Sequence, residues 1–197
     1  RQGVESLRRC IRACAERGVK VLTVFAFSSE NWNRPEEEVS GLMELMGKAL
    51  ANEVPELHRA GIRMYFVGDR VSLSARMQHN LAQAEAATAS NSRMVLNVCF
   101  NYGGRWDIAQ AAARVAASGQ PINEESLGRA TALAHVPDPD LLIRTSGEMR
   151  ISNFLLWQIA YAEIWVTDVL WPDFRCRHLL EAIVDFQKRD RRYGGIA

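Results

Sequence analysis

The sequence predicts an α/β fold, a single domain with a mostly parallel central sheet flanked by helices. Three observations carry this. Residues 19–27 (VKVLTVFAF) and 94–101 (MVLNVCFN) are nearly continuously apolar and rich in β-branched side chains, as in strands buried on both faces of a parallel sheet. Segments with apolar residues at helical spacing alternate with such runs, which implies strand, crossover helix, strand. The loops that follow the strands are polar, and in open α/β sheets ligands bind at that edge.

The elements follow in order. Val4, Leu7, Ile11, Cys14 and Ala15 recur at helical spacing and Gly18 supplies a stop, so a first helix covers about residues 4–17. Strand 19–27 leads into the polar loop Ser28-Ser29-Glu30-Asn31-Trp32-Asn33-Arg34, and Pro35 with three glutamates opens a helix in the sense the helix dipole favours. Its apolar stripe runs through Val39, Leu42, Met43, Leu45, Met46, Ala49, Leu50 and Leu57, with Pro55 expected to kink or interrupt it. Gly61 turns the chain into strand 62–67. Asp69-Arg70 leads to helix 75–88, capped by Ser72 or Ser74. Strand 94–101 is followed by the turn Tyr102-Gly103-Gly104-Arg105 and helix 106–117, and Asn123 caps a further short helix. Leu141-Leu142-Ile143 reads as a short strand, Glu163 opens another over 164–167, and residues 177–192 close as an amphipathic helix stopped by Gly194-Gly195.

At 197 residues and 22.1 kDa the chain suffices for one domain with a proper core. Its net charge of +1 offers no bulk attraction to nucleic acid or to an anionic membrane, so any anion site must be local. Cys10, Cys14, Cys99 and Cys176 lack zinc spacing and read as small hydrophobes in a reducing cytosol. No apolar run reaches the ~18 residues that span a bilayer and no secretory leader opens the chain, which predicts a cytoplasmic protein, peripheral to the inner face of the membrane at most. Walker, GxGxxG and GxSxG patterns are absent, and His58, His79, His135 and His178 fall outside the polar loops.

What stands out is residues 141–174, where Arg144, Arg150, Ser152 and Glu163 are threaded through apolar sequence. Two planar guanidinium forks, a hydroxyl and backbone N–H groups suit a diphosphate. Glu163, expected at the sheet edge facing the same pocket, suggests Mg²⁺, which takes one or two carboxylates plus phosphate oxygens and water. The loops 28–34, 102–105 and 144–152 are predicted to converge on one crevice. Gly41 and Gly47 weaken the long Met- and Leu-rich helix, which invites close approach or space for a ligand as the reason.

Ala26–Pro35 (AFSSENWNRP), Asn101–Ile108 (NYGGRWDI) and Ile143–Gln158 (IRTSGEMRISNFLLWQ) closely resemble the cis-prenyltransferase family, of the bacterial undecaprenyl diphosphate synthase type. The resemblance runs from Val4 to Gly195. It implies condensation of isopentenyl diphosphate onto farnesyl diphosphate with Mg²⁺, giving the long cis-polyprenyl diphosphate carrier of cell-wall synthesis. It also implies a homodimer, a hydrophobic tunnel beside the sheet, and transient membrane contact on product release. Arg144, Arg150, Ile151 and Ser152 match positions that hold isopentenyl diphosphate, and Glu163 matches a Mg²⁺ ligand. Asn31 matches a residue implicated in proton removal, with Ser28, Ser29, Glu30, Trp32 and Arg34 in the substrate loop beside it. Arg192-Tyr193-Gly194 resembles an element that reaches the partner's active site. The family's opening strand and its Asp-Gly-Asn-Gly-Arg-type phosphate loop do not occur in the sequence, so the chain as printed is expected not to turn over. Met149 stands where relatives often carry histidine. The rival reading is a non-catalytic subunit of a cis-prenyltransferase assembly, but such subunits lose the arginines and asparagine that this chain retains.

Overall fold

A computed structural model describes residues 2–195. The elements are α1 (Gln2–Glu16), β1 (Val21–Ser28), α2 (Glu36–Arg59), β2 (Ile62–Val67), α3 (Ala75–Thr88), β3 (Met94–Tyr102), α4 (Gly104–Ala117), α5 (Glu124–Ala130), β4 (Leu141–Arg144), β5 (Glu163–Val166) and α6 (Cys176–Gln187). The α/β class and the parallel pairing are as predicted. The strands form two sheets, one of three strands in the order β1-β3-β2 and one of two, β4-β5, all parallel. The chain correspondingly forms two compact units, residues 14–136 and residues up to 13 together with those from 137 onward.

In the 14–136 unit β3 is the central strand, and Leu96, Asn97, Cys99 and Tyr102 are at most 1 % exposed. β1, expected to be buried on both faces, is instead an edge strand whose Val21 to Phe25 are half-buried, because only β3 pairs with it. The buried amide of Asn97 donates to Thr23 Oγ1 (3.2 Å) and accepts from His135 Nε2 (2.8 Å), so both of its ends are satisfied. Pro55 does not interrupt α2. It and Ala51, whose carbonyl it deprives of a partner, are both exposed, so water replaces the lost helical bond. Of the two candidate caps Ser74 is the one used, accepting from Met77 N, while Ser72 is engaged elsewhere. Gly68 is obligatory: at φ +152° a Cβ there would lie 1.9 Å from Phe100 O.

The His135 ring lies 4.1 Å from that of Tyr65. Burial of the ring, then the nearby Arg63 cation, hold its pKa below the ordinary value of 6.5, against a smaller opposing pull from Glu85. The unfolded chain therefore binds the proton first as pH falls, and stability should decline from about pH 6.5 downward until the folded pKa is passed. Urea midpoints at pH 7.5 and 5.5 should show this loss, and His135→Gln should reduce it.

In the second unit α6 packs on β5, and α1 is tied to the loop before α6 by Ser6 Oγ donating to Pro172 O (2.8 Å) and Trp171 Nε1 to Gly3 O (3.1 Å). Residues 154–162, apolar in sequence, form turns between β4 and β5. Cys10 is buried, which pushes its thiol up to about 11, in keeping with a packing role.

Candidate functional site

Register places Ser28 beside Tyr102, so the loops that leave β1 and β3 start side by side at one edge of the three-stranded sheet. The β1 loop is a single 3-10 turn, Ser29–Asn33, closed by Asn31 Oδ1 accepting from Ser28 N (2.9 Å). Trp32 points its indole N–H at Asn101 Oδ1 (2.7 Å) and meets Phe27 edge-on at 5.2 Å. Arg34 pairs with Glu38 at 2.5 Å, both half-exposed. Beside this turn lies an open cleft of about 350 Å³ lined by Ser29, Trp32, Asp69, Ser72, Asn101 and Trp106. That volume lies at the lower end of small-ligand sites.

Sequence reasoning singled out Ser29 and Trp32 and missed Asp69, Ser72, Asn101 and Trp106 as lining. The available signal was an amide at the end of an apolar strand, just before the Tyr-Gly-Gly turn. Asp107, 1 % exposed, is not offered to the cleft: it accepts from Tyr102 Oη (2.9 Å) and Ala132 N (2.7 Å), joining α4 to the end of α5.

The other candidate residues lie in the second unit. Arg144 ends β4, and its buried Nε finds no hydrogen-bond partner among the described residues. The loop beyond is strained: Ser146, Ser152, Asn153 and Leu155 adopt φ of 68°, 53°, 62° and 41°. Strain of this kind costs about 1–3 kcal/mol per residue and concentrates at ligand-binding turns. Ser146 N and Gly147 N are tied to Val169 O and Thr167 O, both at 2.9 Å, and Asp168 fills the space beside Gly147. Arg150 pairs with Glu148 at 2.6 Å and Ile151 is half-buried. Such exposed pairs contribute about 0–1 kcal/mol, so an incoming diphosphate can displace them.

Glu163 opens a strand, as the sequence predicts. It opens β5 opposite Leu141, whereas Arg144 lies opposite Val166, so the two occupy opposite ends of the sheet, about 10 Å apart along the strands. Its carboxylate accepts from Arg189 Nη1 (2.9 Å), and Arg189 also binds Asp185 (2.6 Å) and Ile164 O (2.9 Å). No group of three or more metal-ligating side chains exists among the described residues. Glu163 offers one hard oxygen donor, which suits a Mg²⁺ that arrives with a diphosphate and keeps phosphate oxygens and water as its other ligands.

The prenyltransferase family model, described as putative undecaprenyl diphosphate synthase, matches residues 1–194. The chain belongs to this family. An isoprenyl transferase of Nitrosomonas europaea is 52% identical over 98% of the chain and 75% of its own length. A farnesyl-diphosphate-specific ditrans,polycis-undecaprenyl-diphosphate synthase of Pseudomonas aeruginosa is 51% identical over 98% and 79%. A crystal structure of a probable undecaprenyl diphosphate synthase from Campylobacter jejuni superposes with a TM-score of 0.92 at 33% identity, covering 98% of this chain and 92% of that one. Lavandulyl diphosphate synthase of Lavandula x intermedia, solved with dimethylallyl diphosphate, gives 0.93 at 34% over 98% and 86%. The undecaprenyl diphosphate synthase fold thus carries more than one prenyl chemistry.

Proposed function

We propose that this chain condenses isopentenyl diphosphate onto farnesyl diphosphate with cis double bonds, producing undecaprenyl diphosphate for cell-wall synthesis. The observation that carries this reading is Arg144, a half-buried arginine whose buried Nε–H is unsatisfied among the described residues, at the start of a strained loop that also holds Arg150, Ile151 and Ser152. A buried donor without a partner costs about 1–3 kcal/mol, and an anionic oxygen is the ligand that relieves it. The bacterial relatives at about half identity support a prenyl diphosphate as that anion.

The chain's own residues then divide the work. Arg144, Arg150 and Ser152 hold isopentenyl diphosphate. The Ser28–Arg34 segment is assigned to the substrate loop, with Arg34 exchanging Glu38 for phosphate oxygen. Asn31 cannot itself act as a base, since a carboxamide is not basic and its Oδ1 is occupied by Ser28 N; it orients the group from which the proton leaves. Mg²⁺, when bound with the substrate, supplies charge that stabilises the departing diphosphate. Glu163 is the carboxylate assigned to it, released from Arg189. In Glu163→Gln, equilibrium binding of isopentenyl diphosphate should lose its dependence on Mg²⁺ while the Mg²⁺-free affinity is unchanged. A retained Mg²⁺ effect would remove Glu163 from that role.

Support for an apolar tunnel comes from α2, where Leu42, Met43, Leu45 and Met46 are only half-buried and a Cβ on Gly41 or Gly47 would meet nothing within 4 Å. Close approach is therefore not why these glycines are there. Burial of a growing chain against such a face supplies about 0.8 kcal/mol per CH₂. Gly47→Ala should stabilise the protein by about 0.5–1 kcal/mol through helix propensity, and Gly47→Trp should shorten the products. Thermal melts and product-length chromatography check both. Exposed Ile164 on β5 and Val184 on α6, with Tyr161 and Leu170 nearby in sequence, support the homodimer, and Tyr193 of the C-terminal element rests against Tyr161, ring centroids 6.0 Å apart. No described helix is long and apolar enough to cross a membrane, and we place the protein in the cytoplasm with transient membrane contact at product release.

The deciding experiment is incorporation of radiolabelled isopentenyl diphosphate into butanol-extractable lipid with farnesyl diphosphate and Mg²⁺, beside direct binding of each substrate. The assay compares this chain with a form that carries the family's Asp-Gly-Asn-Gly-Arg-type loop ahead of residue 1, and only that form is expected to yield long polyprenyl diphosphate. Binding without incorporation in both forms would favour a non-catalytic subunit, and failure of both binding and incorporation would overturn the reading.

A further inference from the structure

Asn101 uses its side chain in two directions. It is the penultimate residue of β3, at φ 52° in the left-handed region that asparagine tolerates better than most residues, and it is 4 % exposed. Its Oδ1 accepts the Trp32 indole N–H (2.7 Å), while its Nδ2 donates to Asp69 O (2.7 Å) and Ser72 Oγ (2.8 Å). Its own carbonyl accepts from Asp69 N (2.9 Å). One buried amide thus ties the Ser29–Asn33 turn to the connection between β2 and α3 across the end of β3. Among side chains of this length only asparagine has both an acceptor and a two-hydrogen donor.

Ser28 N bonds Asn31 Oδ1 within the turn itself, and Phe27 touches Trp32 through ring edges, a contact about which the indole can pivot. Trp32 is 42 % exposed, so its orientation depends on its one polar anchor more than a core tryptophan's would. The same six residues that line the cleft include both ends of the anchor.

We propose that Asn101 is a positioning residue: it clamps Trp32, and through it the Ser28–Arg34 segment, in the orientation that receives the prenyl diphosphate. This rests on the reading of that segment as the substrate loop. With its amide spent on Trp32, Asp69 and Ser72, Asn101 acts by pre-setting a loop that would otherwise have to be ordered on each binding event, and misplacement of about 1 Å is enough to weaken a site.

The test uses the full chain labelled with 5-fluorotryptophan, the Trp32 resonance being assigned by its loss in Trp32→Phe. Asn101→Gly keeps the left-handed backbone and removes the amide; Asn101→Asp keeps an acceptor for Trp32 and loses the donor. In Asn101→Gly the Trp32 line should move and broaden, and affinity for isopentenyl and farnesyl diphosphates, measured calorimetrically, should fall about tenfold, the scale of one hydrogen bond. Asn101→Asp should restore the line position and bring affinity back to within about threefold. Trp32→Phe should match Asn101→Gly, and the double variant should lose no more than either single one. An unmoved Trp32 line in Asn101→Gly, or losses that multiply in the double variant, would overturn the clamp. Should Asn101→Gly fail to fold, Trp32→Phe decides: it must lower affinity tenfold, and wild-type affinity overturns the proposal. A wild-type protein that binds neither diphosphate sinks the substrate-loop reading instead, and the fluorine line alone then decides whether Asn101 clamps Trp32.

Discussion

Gly68→Ala should destabilise the 14–136 unit by about 4 kcal/mol or more, among the largest losses a single methyl can cause. The added Cβ would sit 1.9 Å from Phe100 O, 2.7 Å from Asn101 O and 2.9 Å from Asn101 C, all backbone atoms. Neither residue can give way, since Phe100 is 3 % and Asn101 4 % exposed and both belong to the central strand of the sheet. The φ of +152° adds backbone strain that no L side chain relieves. Gly119→Ala is the control: its φ of +71° is also left-handed, but a Cβ there meets nothing within 4 Å, so only about 1 kcal/mol of conformational strain should appear. Urea unfolding of both variants measures the difference. Equal midpoints would mean that the turn after β2 is looser than its geometry states.

Replacing Arg144 should separate binding from stability. Arg144→Gln is expected to weaken isopentenyl diphosphate binding at least 100-fold, because a charge-assisted fork to an anion in a partly buried position is lost. Arg144→Lys should weaken it about tenfold or more, since lysine keeps the charge but has neither the planar fork nor the Nε–H. Stability should go the other way. Without substrate, Arg144 Nε is buried with no partner among the described residues, so removing it relieves an unsatisfied donor and the melting temperature should stay level or rise. Calorimetric titration and thermal melts on the same samples check both signs. A variant that melts several degrees lower yet binds normally would make Arg144 structural and leave the diphosphate site without its anchor.

Much of this was legible in sequence because the signals are local. The apolar run of β3, the Pro-Glu-Glu-Glu start of α2, the Asn123 cap and the polar loops after β1 and β4 each follow from residues within a few positions of one another. The loop arginines could be named for the same reason, since a guanidinium among apolar neighbours is visible without a fold. Other features depended on pairing. The sequence places Glu163 at the opening of a strand, facing the pocket of the arginines, but its distance from Arg144 depends on register: the start of β5 lies against the start of β4, and only the pairing of Leu141 with Glu163 reveals that. β1 reads as a central strand from its composition, and its position at the edge follows from which strands β3 joins.

The sequence by itself determined the α/β class, the alternation of elements, the resemblance to prenyl diphosphate synthases and the identity of the candidate anion ligands, since all of these rest on short-range patterns. The tertiary structure alone decided that Asn101 joins two loops 32 and 69 residues away, that Arg189 occupies the carboxylate of Glu163, and that Gly68 has no room for a methyl. These are contacts between residues distant in the chain, made where strand register and crossover bring backbone ends together, and no local propensity encodes them.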